Sequence, residues 1–225
     1  MTPGAYSVRT LLALAAAFTL GALPWGLWMG FARGVDVRKH GSGNLGATNV
    51  YRTLGPAPGW IVFLLDALKG GLAVVVCGWI AGDAFPGGRA GAGLAGALCA
   101  VLGHVFTPFA GFKGGKGVAT SAGAMLAVAP VASSLALACF VVGVALSQRI
   151  SVGSIAAVLS FPVFLWCVPF ASAGRGVAVV GPFVSLVILI RHLPNIRRLL
   201  AGTEPTFAFR RSSKAPTPAP PENRP

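Results

Sequence analysis

The stretch "VATSAGAMLAVAPVASSLALACFVVGVAL", residues 118–146, decides how this chain is folded. It is apolar throughout and longer than the roughly 20 residues that carry a helix across about 30 Å of hydrocarbon. Lys113 and Lys116 precede it and Arg149 follows it. Short loops rich in Lys and Arg stay on the cytoplasmic side of a membrane, so both ends of the run face the same way. A single crossing cannot start and finish on one side. Pro130, near the middle, lacks an amide N–H and clashes with the preceding helical turn. The run is therefore predicted to be two short helices forming a hairpin, and the parity of the whole chain follows from that split.

Working outward, 55% of the 225 residues are hydrophobic, 10% are charged and the mean hydropathy is +0.76, values that exclude an ordinary soluble domain. Further apolar runs cover residues 7–31, 59–81, 90–110, 152–171 and 177–190. With the hairpin, they predict an all-α polytopic transmembrane bundle of seven spans. The amino terminus lies outside and the carboxyl terminus is cytoplasmic. The basic residues agree: Arg33, Arg38, Lys39, Arg52, Lys113, Lys116, Arg149, Arg191, Arg197, Arg198, Arg210, Arg211 and Lys214 fall inside, leaving Arg9, Arg89 and Arg175 for the outer face. The first run is too long for a signal peptide and lacks a clear small-x-small cleavage site, so it is read as a span.

The four cysteines, Cys77, Cys99, Cys139 and Cys167, each stand alone in apolar sequence and read as small buried hydrophobes. Residues 1–204 are expected to form one membrane domain. Residues 205–225, rich in Pro and basic residues, are expected to be a disordered cytoplasmic tail whose charges suit anionic lipid heads.

The polar residues gather at one predicted face. The clusters are "RKHGSGNLGATNVYRTLG" (38–55), "GHVFTPFAGFKGGKGVAT" (103–120), "RISVGS" (149–154) and "IRHLPNIRRLLAGTE" (190–204). Glycines let successive backbone N–H groups converge on an anion, Ser, Thr and Asn add neutral donors, and Lys or Arg supplies charge. Ser42, Gly43, Asn44, Gly46, Thr48, Asn49 and Arg52 in the first cluster, and Lys113, Gly114, Gly115 and Lys116 in the second, describe two phosphate cradles. The competing reading makes each an ordinary turn with topogenic charges. "GFKGGKG" is not a nucleotide-binding P-loop, because Ala110 stands where its first glycine belongs and Gly117 where Ser or Thr should follow the lysine.

Asp66 and Lys69 sit inside the second span, spaced to pair on one helix face, either as a self-neutralising salt bridge or as support for the site. His104, at the cytoplasmic end of its span, reads as a supporting structural group. His192 and Asn195 share a face if their stretch is helical, and Arg197 and Arg198 read as topogenic or lipid-facing. Five carboxylates in the whole chain, and no Gly-x-Ser-x-Gly elbow, argue against paired-carboxylate hydrolysis and a serine triad. No metal-ligand spacing is present either. What remains is chemistry by binding, orientation and electrostatics on activated, phosphorylated substrates.

In order and spacing, "GVDVRKHGSGNLGATNVYRTLG", "LDALKGG", "GHVFTPFAGFKGGKGVAT", "SVGSIAA" and "RHLPNIRRLLAGTE" resemble the bacterial acyl-phosphate:glycerol-3-phosphate acyltransferases, integral membrane enzymes of phospholipid synthesis. The resemblance spans nearly the whole chain up to Glu204. It implies transfer of a fatty acyl group from acyl phosphate to the 1-hydroxyl of sn-glycerol 3-phosphate, giving lysophosphatidic acid and phosphate. It implies no metal, cofactor, acyl-CoA or nucleic acid, a bacterial inner-membrane location with a cytoplasmic-face site, and a functional link to the enzyme that supplies acyl phosphate.

Carried onto this sequence, residues 42–49 hold the acyl-phosphate head and the Gly43 to Gly46 amides stabilise the departing phosphate. Arg52, Lys116, His192 and Asn195 hold glycerol 3-phosphate, and Ser154 lines the site. Arg149 departs from the family pattern, where many relatives carry Tyr. A transporter for a phosphorylated solute and a non-catalytic protein that binds lipid heads are the alternatives, disfavoured by the one-sided polar clusters and the lack of an inverted repeat.

Overall fold

The structure, a computed structural model, describes residues 3–168 and 176–207, and of residues 3–7 and Ala84 the backbone alone. Its regular elements are all helical: α1 (Pro3–Ala22), α2 (Trp25–Phe31), α3 (Ala47–Leu54), α4 (Pro56–Ala81), α5 (Gly88–Val105), α6 (Val118–Val128), α7 (Pro130–Ser147), α8 (Ile150–Cys167), α9 (Val177–Arg191) and α10 (Leu193–Leu200). The end of the predicted 152–171 span, Arg175 and residues 208–225 of the tail lie outside the described residues.

The 118–146 run does break at its proline. Ala129 leaves helical geometry (φ −142°, ψ 66°) and Pro130 starts α7, a position where its fixed φ suits a helix and its missing N–H costs nothing. The two halves are unequal. α6 has 11 residues and rises only about 16 Å, whereas the 18 residues of α7 rise about 27 Å. Pro162 and Pro182, by contrast, sit inside α8 and α9 without ending them.

Among the described residues, four helical units are long and apolar enough to cross a membrane, and two bent pairs, α1–α2 and α9–α10, bring the number to six, with α6 as a shorter apolar helix. The 7–31 run, read from sequence as one straight span, bends by 42° between α1 and α2 at Leu23 and Pro24. The bend strands the last carbonyls of α1, which in a membrane must find donors inside the protein. Thr107 Oγ1 donates to Ala22 O (2.6 Å) and Lys69 Nζ donates to Leu23 O (2.7 Å).

Lipid tails are as apolar as the side chains, so helices here associate by close packing, which small residues permit. A Cβ on Gly103 of α5 would come within 2.2 Å of Phe18 O in α1, and one on Gly70 of α4 within 2.0 Å of Thr120 O in α6. Leu64, Leu68, Leu72, Val75 and Trp79 of α4 point outward, as befits a lipid-facing stripe. The central core joins α4, α5, α6, α7, α8 and α9 through Val74, Val101, Met125, Ala136, Phe161 and Ile188.

Candidate active site

The first polar loop is organised around one buried side chain. Asn49, in the first turn of α3, donates from Nδ2 to Val37 O (2.9 Å) and His40 O (3.2 Å), while its Oδ1 accepts from the Ser42 amide (2.8 Å). Gly41 (φ +59°) and Gly43 (φ +68°) take left-handed turns that bring the loop round to meet it. Gly43 N donates to His40 O (3.0 Å) and Gly46 N to Asn44 Oδ1 (2.8 Å). Those two amides, expected from sequence to face an anion, are thus committed within the loop. The leading N–H groups of α3, at Ala47 and Thr48, precede the first intrahelical bonds and are among the backbone donors this loop offers.

The second loop folds back on the helix that precedes it. Gly114 N donates to Val105 O (3.0 Å) and Gly115 N to His104 O (3.2 Å), and a Cβ on Gly115 would lie 2.1 Å from His104 Nε2. Arg191 Nη2, at the end of α9, donates to Gly114 O (3.1 Å). The two glycines therefore serve close packing, and the loop they form carries Lys116 inward to the start of α6.

The third cluster meets that lysine. Lys116 Nζ donates to Asn195 Oδ1 (2.6 Å), Asn195 Nδ2 donates to Glu204 Oε1 (2.7 Å), and Arg198 Nε donates to Glu204 Oε2 (2.7 Å). An ammonium on one side and a carboxylate on the other fix which way the Asn195 amide points. Arg149 Nε donates to Glu204 O (3.1 Å), which ties the α7–α8 turn to the same residue. His192, 2% exposed, donates from Nδ1 to Ile188 O (2.8 Å). A carbonyl oxygen only accepts, so in the neutral ring Nε2 carries the lone pair.

All three clusters open on one cavity of about 380 Å³. Its lining combines polar and charged side chains, among them Ser42, Arg52, Lys116, Ser154, His192 and Glu204, with apolar ones, Trp60, Phe63, Phe140, Val141 and Val144 from α4 and α7. Burial pushes the Lys116 ammonium down to about 8, against the pull of Glu204 and helped by Arg198, Arg52 and Arg191. Burial lowers Arg52 as well. Burial opposes ionisation of Glu204, but the Ser151, Asn195 and Arg198 side chains around it outweigh that and hold its carboxyl below the usual range.

Of the site residues expected from sequence, Ser42, Asn44, Gly46, Thr48, Asn49, Arg52, Lys116, Ser154, His192 and Asn195 line this cavity, as do Asp66 and His104. Gly43 does not. Lys113 is exposed and outside it, and Gly114 and Gly115 are buried behind it. Asp66 and Lys69 pair at 2.7 Å, and His104 Nδ1 lies 3.0 Å from Thr120 Oγ1 and 3.7 Å from Asp66; their bonds hold α1, α4, α5 and α6 together beside the site. Arg198, read as topogenic, instead lines the cavity and pairs with Glu204. Glu204 itself was missed as a site residue, although a carboxylate six residues beyond Arg198 in so acid-poor a chain was the available signal. Among the described residues, no group of three or more His, Cys, Asp or Glu side chains could hold a metal ion.

The family model described as glycerol-3-phosphate acyltransferase matches residues 11–202. The glycerol-3-phosphate acyltransferase of Geobacter sulfurreducens is 45% identical over 200 residues, covering 89% of this chain and 98% of that protein. That of Trichlorobacter lovleyi is 45% identical over 194 residues, covering 86% and 95%. Among solved structures, PlsY (YgiH), an integral membrane glycerol 3-phosphate acyltransferase, superimposes in its glycerol 3-phosphate form with a TM-score of 0.80 at 34% identity, over 88% of this chain and 96% of that one. Its lysophosphatidic acid form gives 0.77 at the same identity, over 88% and 95%.

Proposed function

Since this chain belongs to the glycerol-3-phosphate acyltransferase family of membrane enzymes, we propose that it transfers a fatty acyl group from acyl phosphate to the 1-hydroxyl of sn-glycerol 3-phosphate, releasing lysophosphatidic acid and phosphate. The observation that carries this reading is the single cavity lined both by Arg52, Lys116 and Arg198 and by apolar side chains of α4 and α7. Such a space suits an anionic head and a fatty chain together. The solved relative's two forms, with glycerol 3-phosphate and with lysophosphatidic acid, fit an acceptor and a product of that shape.

In the reaction, the acceptor hydroxyl oxygen bonds to the acyl carbon while the carbon–oxygen bond to phosphate breaks. The electron pair leaves with phosphate, which also takes the hydroxyl proton. Lys116 and Arg52 offset the repulsion between two phosphoryl groups brought close in a partly dry site. Asn195, locked between Lys116 and Glu204, and His192, locked on Ile188 O, orient the acceptor. The Ala47 and Thr48 amides, with Ser42 and Asn44, receive the donor's phosphate. Ser154, whose Oγ donates to Ile150 O (2.9 Å), lines the space between. No metal or acyl-CoA enters this scheme, and a rate unchanged by EDTA checks the first point.

The same reading makes seven spans, counting α6 and α7 separately and each bent pair as one, with the amino terminus outside and the site at the cytoplasmic face of the bacterial inner membrane. Purified protein given acyl phosphate and glycerol 3-phosphate should yield lysophosphatidic acid and phosphate in equal amounts. No product from these substrates, with the protein folded, refutes the reading. Cysteines placed at Ser42, Lys113 and Arg197 should all react with an impermeant thiol reagent from the cytoplasmic side alone.

A further inference from the structure

The chain beyond α10 does not leave the body of the protein at Glu204. Phe207, the last described residue, is only 7% exposed and lies five residues past the end of the family match. Its amide donates to Gln148 O at the tip of the α7–α8 turn (2.6 Å), and its ring rests on Tyr51 of α3 with centroids 4.5 Å apart. The strap is held at its other end too, where Arg149 Nε donates to Glu204 O and Glu204 reaches Asn195 and Arg198. Tyr51 and Phe207 both line the large cavity, together with their chain neighbours Arg52 and Glu204. Two aromatic rings in contact therefore form part of the wall of the cavity that holds these charged groups.

Resting on the acyl-phosphate reading above, we propose that Phe207, packed on Tyr51, keeps bulk water from the activated acyl group and so sets how the enzyme divides between transfer and hydrolysis. An acyl phosphate is a mixed anhydride, and water is a competing nucleophile. In hydrolysis, water's oxygen bonds to the acyl carbon, the carbon–oxygen bond to phosphate breaks, and the products are free fatty acid and phosphate, water's protons going to the phosphate and to solvent. The cations that stabilise the departing phosphate assist both routes equally. Only exclusion of unbound water, with the acceptor hydroxyl held in place, favours transfer. A strap fixed at Glu204 and Gln148, with an apolar ring at its end, is built for that exclusion.

The test uses the full chain in detergent or nanodiscs, with palmitoyl phosphate and glycerol 3-phosphate, and measures lysophosphatidic acid and free palmitate together. Phe207→Ala should raise the palmitate-to-lysophosphatidic acid ratio on the order of tenfold, Tyr51→Ala should raise it likewise, and Phe207→Leu should restore a ratio near wild type. A purely structural role would lower both products together and leave the ratio alone. An unchanged ratio in folded Phe207→Ala overturns the seal while leaving the donor assignment standing; should Phe207→Ala not fold, an unchanged ratio in Tyr51→Ala overturns it. A wild-type protein that makes no lysophosphatidic acid overturns the donor reading first, and the seal with it.

Discussion

Two ionic clusters lie close together in this bundle, and they differ in how their charge is balanced. Asp66 and Lys69 form a pair that is buried almost completely, side chains 3% exposed, with Lys69 spending a further hydrogen bond on the end of α1. The cluster of Lys116, Arg52, Arg198 and Glu204 has three cations to one carboxylate and faces a cavity of about 380 Å³. The first balances its own charge and holds backbone, although Asp66 also borders the cavity; the second is left with positive charge to spare beside it. Residue type does not distinguish the two, and a lysine and a carboxylate occur in each. The surplus of charge beside an open volume marks the chemistry.

The sharpest way to break this contrast is to unpair the closed cluster. Asp66→Asn leaves Lys69 buried without its counter-ion and should cost about 3–5 kcal/mol, read as a loss of thermal stability in detergent. The double change Asp66→Leu with Lys69→Met should recover much of that loss, since an apolar pair is no worse than a buried ionic one. Lys116→Ala, in the open cluster, should do the reverse: a fall in kcat/KM of about 100-fold or more with the melting temperature little changed. If Lys116→Ala melts early and keeps its activity, the assignment of roles is inverted.

The pH profile offers a gentler test. Lys116 is charged below about 8 and neutral above it, because burial penalises its ammonium. The kcat/KM for glycerol 3-phosphate should therefore be sustained below that pH and fall as pH rises through it, and Lys116→Arg should extend the plateau upward. Lys113, exposed and outside the cavity, marks the lower end of the scale. Lys113→Ala should lower kcat/KM by at most about fivefold, as expected of an exposed charge.

Much of this was legible in the chain itself. The break at Pro130 followed from proline's missing N–H, a local fact, which charge parity pointed to as well. The spacing of His192 and Asn195 placed two polar groups near each other before any contact was known, because helical periodicity is local as well. The 42° bend at Pro24 was not foreseen, since the apolar run around it reads as uniform and the donors that make the break tolerable, Lys69 and Thr107, come from distant segments. For the same reason Glu204 was overlooked. Its importance lies in reaching Asn195 and Arg198 at once, and its backbone oxygen takes Arg149 from another helix pair, where the sequence showed only a residue at odds with its relatives. Glycines misled in a different way. Gly114 and Gly115 suggested an anion nest, and their lack of a Cβ instead lets the loop lie against His104.

The half-length of α6 reaches beyond the protein. Counted as a crossing, as in the seven-span proposal, a helix rising about 16 Å in a film about 30 Å thick cannot set both ends at the headgroups, so the surrounding leaflets must pinch or the helix start must sink below the surface. Because Lys116 adjoins that start, the proposed topology links the depth of its charge to the lipids around it, and a thicker or stiffer bilayer should press on the end where the proposed mechanism places it.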